Sequence, residues 1–457
     1  MKNINHKPII GLEIHVELNT KTKMFCRCPA KYFGEEPNTY TCPVCLGLPG
    51  ALPYPNKTAN EYCVMIALAL QCKITDFSYF ERKNYFYPDL PKGYQISQYI
   101  NPFGIDGYLN IKSSAQDSKR IRIRRVHMEE DTAKLIHPSG NQDEHSYIDF
   151  NRSGVPLVEI VTEPDIASAE EAKIFLTKLQ RIIRYLGVSD ADMEKGNMRL
   201  EPNISLRELT TENIKLDTEK LPNYKVEVKN INSFRFVEKA INYEIERQMK
   251  ILEKGEIPVQ ETRGWDDIKN KTVSQRIKEE AHDYRYFPEP DIPPIKIDKT
   301  YVEKIKEKIP ELPDEKIQRF AKEYLLSFYD SEILAREKQT ADYFEEGVII
   351  GLKESITPKQ IANRMINDKT FNPETTLPAQ LIEEMLLLKK DILEVITDED
   401  KKKIETVIKE NPQAAEAYGN GKMQVIGFLI GAVNKKLQGK KINPQLIKNT
   451  LEMLLKK

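Results

Sequence analysis

The sequence is short of features that would assign it to a class at once. No apolar run among its 457 residues approaches the roughly 20 residues that a membrane-spanning helix needs. The segment from Met1 to Pro8 contains no hydrophobic secretion signal, so we expect a cytoplasmic protein without membrane contact. A formal charge of −1 means that composition alone indicates no nucleic-acid partner.

Common nucleotide-binding and hydrolase motifs are absent as well. The sequence contains no Walker A loop, no G-x-G-x-x-G fingerprint and no G-x-S-x-G nucleophile elbow. If a nucleotide binds, it must therefore use a site built from carboxylates, a metal ion and arginines. Only six cysteines are present, and in a reducing compartment clustered cysteines indicate metal binding rather than disulfides.

The hydrophobic periodicity predicts an α+β fold with much antiparallel sheet. Up to about residue 295, short alternating runs such as Gly11–Leu18 and Met198–Arg207 are typical of strands. Helical periods interrupt these runs at Thr58–Leu70, Ser168–Leu186 and Ser233–Glu253. The proline-dense stretch Phe287–Pro294 then marks a boundary, because helices and central strands do not tolerate such a stretch.

After this boundary the pattern is helical, and it predicts a division into three parts. We expect a β-rich domain over residues 1–295, a helical domain over 296–410 and a small helical tail over 411–457. At the start of the tail, the proline, glycines and small residues of Asn411–Lys422 predict a linker. Two helices should follow it, on either side of Gly439.

The C-terminal part is basic. From Lys401 to Lys457 there are twelve lysines, four glutamates and no aspartate, which gives a net charge of +8. This excess favours an anionic partner for the C-terminal part. A solvated, lysine-rich helical surface explains the same composition equally well.

The first predicted strand places acidic and imidazole groups on one face. In Gly11–Leu18 the apolar side chains alternate with Glu13, His15 and Glu17. Two carboxylates that flank an imidazole can bind a divalent cation or transfer protons. An exposed sheet face without chemistry is the alternative.

A second strand pattern, Arg120–Asp131, changes phase in its middle. Arginines alternate with isoleucines at first, and from Arg125 onward the polar positions are shifted by one residue. A β-bulge produces such a slip and re-aims side chains near active sites. The run Glu129, Glu130 and Asp131 that follows supplies candidate ligands for a hard metal ion, because close carboxylates repel unless cations neutralise them.

Four of the six cysteines form two close pairs, Cys26 with Cys28 and Cys42 with Cys45. Four thiolates at this spacing are typical of a tetrahedral zinc site. Because the pattern implies neither a histidine ligand nor an open position, we expect the zinc to be structural. The other two cysteines lie in and just after an apolar helix, so we expect them in the core.

Two further segments combine polar groups with aromatic or apolar neighbours. In Glu81–Gln98, Lys83 and Lys92 stand among several tyrosines, a mixture that suits phosphates and stacked bases. A tyrosine-rich loop that covers a sheet would have the same composition. The turn from Asn151 to Gly154 interrupts apolar strand residues, where polar groups need partners or a chemical role.

Together these motifs resemble one family. The segments that carry the resemblance are Gly11–Leu18, Asn84–Asp89, Tyr94–Gln98, His127–Asp131, Ile148–Ile160 and Asp283–Asp291. They are similar to signatures of the B subunits of heterotrimeric glutamyl/aspartyl-tRNA amidotransferases, and the similarity runs nearly from end to end. Gly427–Gly431 is similar to the tail module of that family.

This resemblance implies a ligase that corrects mischarged tRNA. Glu-tRNA(Gln) would become Gln-tRNA(Gln), or Asp-tRNA(Asn) would become Asn-tRNA(Asn), and the residues do not say which tRNA is the substrate. An amidase-like A subunit would release ammonia from glutamine, and a small C subunit would clamp the two larger ones together. The B subunit would use ATP and Mg²⁺ to turn the tRNA-bound carboxylate into an acyl phosphate. Its fold would be a β-rich antiparallel cradle domain followed by a helical domain and a small helical tail module.

The resemblance also implies roles for individual residues. The expected catalytic residues are Glu13, His15, Glu129, Glu130 and Lys92, the last two placed where ammonia arrives. The expected magnesium ligands are Glu13, His15 and Glu130. The residues expected to contact nucleotide or tRNA are Lys83, Asn151, Arg152 and Arg199. The zinc ligands expected from spacing are Cys26, Cys28, Cys42 and Cys45.

Two other interpretations stay open. The first is a non-catalytic, zinc-stabilised adaptor that only presents tRNA to a partner, although the joint presence of Glu13, His15, Glu129 and Glu130 favours the enzyme. The second is an archaeal-type amidotransferase specific for glutamate. That enzyme would need an inserted domain near residue 290, and the sequence contains no such insert.

Overall fold

A computed structural model describes residues 5–112, 118–137, 145–209, 221–277, 283–390, 395–437, 440 and 442–455. The chain divides into two compact units, Met1–Lys316 and Ile317–Lys457. The first unit contains the sheets, and the second is helical. The division into three parts with the boundaries given above stays a prediction.

Sheet strands dominate the first unit. In chain order they are β1 (Asn5–Glu17), β2 (Lys73–Ile74), β3 (Phe77–Ser78), β4 (Glu81–Asn84), β5 (Tyr94–Ser97), β6 (Gly104–Lys112), β7 (Ser118–Glu130), β8 (Lys134–Ile136), β9 (Tyr147–Asp149), β10 (Pro156–Thr162), β11 (Met198–Leu209), β12 (Val226–Lys229), β13 (Glu261–Asp266), β14 (Lys271–Ile277), β15 (Phe287–Pro288) and β16 (Ile295–Lys296). Over the described residues, nine strands form one sheet in the order β14-β13-β12-β11-β1-β10-β7-β6-β2. Neighbours in this sheet run antiparallel, apart from the parallel pair β12 and β13.

The helices complete both units. In the first unit and across its end they are α1 (Lys57–Ala69), α2 (Ala169–Leu186), α3 (Phe234–Glu253), α4 (Lys299–Lys306) and α5 (Pro313–Glu323). In the second unit they are α6 (Phe328–Leu334), α7 (Lys338–Lys353), α8 (Pro358–Asn367), α9 (Pro378–Lys390), α10 (Asp398–Glu410), α11 (Pro412–Gly419), α12 (Ile426–Lys436) and α13 (Pro444–Leu455). None of the described helices is long and apolar enough to cross a membrane.

Alternation along the central strands decides which face of the large sheet is buried. On β1, Ile10, Leu12, Ile14 and Val16 are buried in one hydrophobic core that also contains the apolar faces of α1, α2 and α3. The three helices begin where the sequence predicts, because a side-chain oxygen of the preceding Asn or Ser accepts a backbone N–H in each first turn. The opposite face of the sheet is therefore left to the polar residues.

The predicted phase slip in the second strand is confirmed. On β10, Val161 pairs with Arg125 and the next residue, Thr162, pairs with Ile123, so Arg124 is left as the extra residue of β7. The bulge restores a regular two-residue period from Arg125 onward. It therefore sets which side chains of the following segment face the core.

The second unit contains two hydrophobic clusters. One is centred on Phe320, Phe344 and Ile361, and the other joins α10 to α12 and α13. The linker predicted for Asn411–Lys422 is wrong in part, because α11 occupies Pro412–Gly419. A proline is favourable at the first position of a helix, and the alanines after it are strong helix formers, so the segment folds where we expected a break. The two helices predicted after it are present, and the α+β fold class is confirmed.

Candidate functional site

The polar face of the large sheet brings three strands together at one point. His15 on β1 lies directly opposite Glu159 on β10, and Glu159 lies opposite His127 on β7. Glu129 follows His127 by two residues and therefore leaves the same face of β7. The register of three antiparallel strands thus collects two imidazoles and two carboxylates.

Three of these side chains converge closely enough to share a cation. His15 Nε2 lies 3.8 Å from Glu129 Oε2 and 3.7 Å from Glu159 Oε2. A six-coordinate ion with bonds of about 2.1 Å separates its ligand atoms by about 3 to 4.2 Å, so the observed spacing suits one. Carboxylate oxygens with one imidazole nitrogen fit a small divalent ion such as Mg²⁺ or Mn²⁺, with water at the remaining positions.

Positive groups beside the two carboxylates keep them ionised. Burial alone would raise the pKa of Glu129, but the ammonium of Lys83, 3.6 Å away, lowers that pKa well below its usual value. Burial likewise opposes ionisation of Glu159, and the neighbouring His127, whose Nε2 is 3.1 Å from Glu159 Oε2, lowers the pKa of this carboxyl. Two ionised, buried carboxylates are ready to bind a cation.

A small sheet, β15-β4-β5, supplies further contacts to Glu129. Ser97 Oγ donates to Glu129 Oε1 at 3.0 Å, and Gln95 Nε2 donates to Glu129 Oε2 at 3.2 Å. Both donors come from β5, and Lys83 comes from the paired strand β4. Both oxygens of Glu129 therefore have a hydrogen-bond donor, which fixes the orientation of the carboxylate relative to His15.

Aromatic rings lie beside this site. Tyr99 and Tyr286 are stacked with ring centroids 4.6 Å apart, and the guanidinium of Arg125 lies over Tyr99 at 5.2 Å. Lys83 Nζ lies 5.2 Å from the ring of Tyr284. The mixture of basic and aromatic residues predicted for Glu81–Gln98 is thus completed by the distant Asp283–Asp291 motif.

The backbone of that distant motif is held in an uncommon conformation. Arg285 has a φ of 46°, in the left-handed region that side-chain-bearing residues rarely adopt. Asn84 Nδ2 donates to the carbonyl oxygen of Arg285 at 2.8 Å, and Asn84 N donates to that of Tyr284 at 3.0 Å. Such strain persists only where neighbours impose it, and here it sets the positions of the two tyrosines.

Glu130 lies apart from the cation-binding group. Its Oε1 accepts the Ile96 amide at 2.9 Å and lies 2.5 Å from Lys92 Nζ. This ion pair lines a cavity of about 220 Å³ whose wall also contains Cys26 and Cys45. The structure therefore brings Glu130 and Lys92 together, as expected, but does not bring Glu130 to His15.

Glu13 is also outside the close group. It leaves the same face of β1 as His15, and its Oε1 accepts a hydrogen bond from Asn203 Nδ2 at 2.9 Å. Across β11 it lies opposite Glu201. Glu13 thus continues the acidic face of β1 beyond His15. Its role as a magnesium ligand stays a prediction.

The two arginines expected to contact nucleotide or tRNA meet at Asp131. Arg199 forms an ion pair with Asp131, and Arg152 Nε lies 3.6 Å from the same carboxylate oxygen. Arg152 also donates to the carbonyl oxygens of Thr132 and Ala133 at 2.9 and 2.8 Å. Arg152 is therefore largely occupied by its own chain, whereas the Arg199 side chain keeps 35% of its surface exposed.

Glu17 lies beside this arginine pair and is buried. Burial and the nearby carboxylate of Asp131 raise the pKa of Glu17 to about 8. The hydroxyl of Tyr32, from the cysteine-bearing loop, donates to Glu17 Oε1 at 3.0 Å. A protonated Glu17 would therefore stand at neutral pH next to an ionised Asp131.

Asn151 connects the same loop to the sheet. Its Oδ1 accepts the Tyr40 amide at 2.7 Å, and its Nδ2 donates to the Glu36 carbonyl oxygen at 2.7 Å. Both hydrogen-bonding ends of the amide are thus used inside the chain. Contact of Asn151 with nucleotide or tRNA stays a prediction, and its visible role is to hold the loop.

The four paired cysteines form one thiolate centre. The sulfurs of Cys26, Cys28, Cys42 and Cys45 all lie within 4.8 Å of one another. Cys42 Sγ and Cys45 Sγ are 3.8 Å apart, which is the edge of a tetrahedron with zinc–sulfur bonds of about 2.3 Å. A hydrogen bond from Cys26 lowers the pKa of Cys45 to about 5. The donor set therefore fits a structural zinc ion, and the other two cysteines are buried in the core as expected.

Sequence reasoning missed two members of the site, Glu159 and His127. Both lie within motifs that the sequence singles out, but neither is among the expected site residues. Every residue of β10 is buried, and Glu159 is the one charged residue of that strand. An acidic residue among the buried residues of Pro156–Thr162 could have been noticed in the sequence. The strand register that places Glu159 against His15 could not be read from the sequence.

These features define a chain with a candidate divalent-cation site on a sheet and a separate thiolate centre. Residues 8–303 match the family model of the GatB/GatE catalytic domain, and residues 332–455 match that of the GatB domain. The chain therefore belongs to the GatB/GatE family, and the resemblance found in its motifs is confirmed.

Curated relatives share this similarity over nearly their full length. The chain is 46% identical over 493 residues to the B subunit of the aspartyl/glutamyl-tRNA(Asn/Gln) amidotransferase of Thermodesulfovibrio yellowstonii, with 99% of this chain and 100% of the relative covered. It is 48% identical over 474 residues to the protein of the same name from Thermosipho melanesiensis, with 95% and 96% covered. The same name belongs to a relative from Persephonella marina, 46% identical over 489 residues, with 98% and 99% covered.

Proposed function

We propose that this chain is the B subunit of a tRNA-dependent amidotransferase, which activates and amidates the side-chain carboxylate of Glu-tRNA(Gln), Asp-tRNA(Asn) or both. Its relatives carry both substrates in their names. The observation that supports a role in activating the carboxylate is the convergence of His15, Glu129 and Glu159 on one sheet face. The reaction makes the chain part of a carbon–nitrogen ligase that hydrolyses glutamine.

The reaction needs ATP because a carboxylate is a poor acyl donor. One oxygen of the tRNA-bound carboxylate attacks the γ-phosphorus of ATP, the bond to the β-phosphate oxygen breaks, and ADP leaves. Ammonia then attacks the carbonyl carbon of the acyl phosphate, and inorganic phosphate leaves with the bonding electron pair. The product is the amide, and the ammonia loses its surplus proton to a base or to water.

His15, Glu129 and Glu159 would hold the Mg²⁺ ion. When bound, Mg²⁺ supplies charge neutralisation of the phosphates and alignment of the transferred group. Lys83 lies 3.6 Å from Glu129 and would add a second positive charge facing the phosphate oxygens. Ser97 and His127 would keep the two carboxylates oriented.

Lys92 and Glu130 would act at the place where ammonia enters the site. Their ion pair can donate and accept hydrogen bonds toward a small polar molecule in the cavity that it lines. Arg199, which retains an exposed surface beside Asp131, is the better candidate of the two arginines for an anionic group of the substrate.

The partners of the chain follow from the reaction. An amidase-like A subunit would release the ammonia, a C subunit would join the complex, and the lysine-rich tail would contact tRNA phosphates. The complex would work in the cytoplasm, where charged tRNA and ATP are available. The cysteine centre would hold one structural Zn²⁺ that stabilises the loop from Cys26 to Cys45.

The test separates carboxylate activation from the other steps. His15→Ala and Glu159→Gln are reconstituted with the partner subunits, and three rates are measured: glutamine hydrolysis, phosphate transfer from γ-labelled ATP, and amide formation on mischarged tRNA. We expect retained glutamine hydrolysis with loss of the other two. Glu170→Gln is the matched control, because Glu170 is exposed in the first turn of α2.

The competing adaptor interpretation makes a different prediction. If the chain only presented tRNA to a partner, both site variants would bind tRNA and support amidation at the wild-type rate. That result would refute the assignment of chemistry to this sheet face.

A further inference from the structure

A fully buried lysine lies next to the cysteine centre. The side chain of Lys23 is 0% exposed, and its backbone N–H donates to the Cys28 carbonyl oxygen at 2.9 Å within the same loop. Burying an ammonium group is costly unless hydrogen bonds and negative charge compensate for its lost hydration. The position therefore needs a compensating partner.

The contacts of this ammonium use all three of its donors. Lys23 Nζ donates to the carbonyl oxygens of Tyr40 and Phe150 at 2.8 and 3.3 Å, and to Cys45 Sγ at 3.6 Å. Within the described part of the chain, no carboxylate forms an ion pair with this group. The two carbonyl oxygens are neutral, so the Cys45 sulfur is the one of the three partners that can carry a negative charge, as a thiolate.

We propose that Lys23 is a positioning residue of the zinc centre, where its buried ammonium balances part of the charge of four thiolates and hydrogen-bonds the Cys45 sulfur. The inference rests on the zinc site proposed above. A zinc ion with four thiolate ligands carries a formal charge of about −2, which is costly in a partly buried loop. A fixed cation and a hydrogen bond at one sulfur lower that cost, as outer partners of metal ligands generally do.

The same ammonium joins the cysteine centre to the candidate active site. Its contact with the Phe150 carbonyl oxygen holds the turn that continues into Ser153 and Gly154, and Ser153 Oγ donates to the Cys45 carbonyl oxygen at 3.0 Å. Gly154 has a φ of 83°, and a Cβ placed there would lie 3.5 Å from Cys45 Cβ and 3.9 Å from Glu130 Oε2. The turn therefore packs against both the cysteine centre and Glu130, which line the same cavity.

The experiment compares zinc retention in Lys23→Met with that of the full-length wild type. Lys23→Met keeps the length of the side chain and removes its charge and its donors. We expect zinc to dissociate into excess chromogenic chelator at least about tenfold faster than from wild type, in line with the usual effect of removing an outer partner of a metal ligand. Lys21→Met is the matched control, because Lys21 lies in the same loop with an exposed side chain, and its zinc should dissociate at the wild-type rate.

A spectroscopic measurement separates this role from simple bracing of the loop. The Co²⁺-substituted protein has thiolate-to-cobalt charge-transfer bands that respond to hydrogen bonds and charge at the sulfurs, and Lys23→Met should shift them while Lys21→Met does not. Lys23→Gln, which retains a donor but no charge, serves if Lys23→Met fails to fold, and it should also release zinc faster. Unchanged zinc dissociation and unchanged bands in a folded Lys23 variant would overturn the inference. Wild-type chain that folds without zinc would overturn the zinc site as well.

Discussion

Glu17 offers a test of the electrostatics beside the candidate site. Its side chain is only 7% exposed, and it faces Asp131 as well as the hydroxyl of Tyr32. We predict that Glu17→Gln makes the folded chain more stable at alkaline pH. The glutamine has the same shape, and its amide oxygen can keep the hydrogen bond from Tyr32, whereas the ionisable group is gone.

The size of the effect follows from the pKa. Burial, followed by the carboxylate of Asp131, raises the pKa of Glu17 from 4.5 to about 8. Between these two values the unfolded chain has released a proton that the folded chain retains, so folding stability decreases as the pH rises. Each pH unit costs about 1.4 kcal/mol, which sets an upper bound of about 5 kcal/mol above pH 8. At a pH close to 4.5, the pKa of Glu17 in the unfolded chain, Glu17 costs the fold almost no stability.

Urea unfolding at pH 5 and pH 9 measures this difference. Trp265, the single tryptophan of the chain, is buried on β13, so its fluorescence reports unfolding of the first unit. The variant should gain about 2 to 5 kcal/mol over wild type at pH 9 and little at pH 5. Glu170→Gln, at an exposed position, should show no such pH-dependent gain. A variant that is less stable at pH 9, or a gain that does not change with pH, would refute the reasoning.

Three further predictions follow from other parts of the chain. We expect elemental analysis to find one zinc ion per wild-type chain; Cys42→Ser should lose it, whereas Cys63→Ala should keep it, because Cys63 lies in the core. Replacing the exposed Lys422 and Lys435 of the tail by glutamine should weaken tRNA binding and reduce its salt dependence by about one counterion per lost contact, while glutamine hydrolysis by the assembled complex is unchanged. The purified chain alone should not hydrolyse glutamine, because its sequence contains no Ser-Ser-Lys amidase arrangement, and glutaminase activity free of the A subunit would contradict the division of labour.

The helices of the tail share a hydrophobic cluster with α10, so their lysines are better tested by substitution than by deletion. Leu429 and Val433 of α12 and Ile447 of α13 pack with Ile404 and Val407 of α10 in one hydrophobic cluster. Removing the last two helices would expose that apolar surface, and a loss of tRNA binding could then reflect unfolding. Exposed lysines can be changed without disturbing the cluster.

Local patterns predicted the elements well where periodicity and caps agree. The helices expected at Thr58–Leu70 and Ser233–Glu253 are found at Lys57–Ala69 and Phe234–Glu253, because each has an apolar stripe and a capping side chain before it. The cysteine centre was also predictable, since ligand spacing within one loop requires no knowledge of the fold. Helix positions and the cysteine centre both depend on residues that are close together in the sequence.

Register across strands was not predictable in the same way. His15, Glu129 and Glu159 come from three strands that are far apart in the sequence, and only the antiparallel pairing of β1 with β10 and of β10 with β7 puts them together. A shift of one residue in either pairing would turn one side chain to the core face. No pattern within a single segment carries that information.

Glu129 and Glu130 point to different places, although the sequence pattern led us to expect both beside one ion. The bulge was placed correctly, but it lies upstream of both residues, at Arg124. After it, β7 resumes a two-residue period, so Glu129 stays in phase with His127 on the polar face while Glu130 is in phase with the buried Met128. Adjacent residues of a regular strand cannot both face one ion. The bulge therefore divides the acidic run between two places: Glu129 belongs to the cation-binding group, and Glu130 pairs with Lys92 in the cavity beside the cysteine centre.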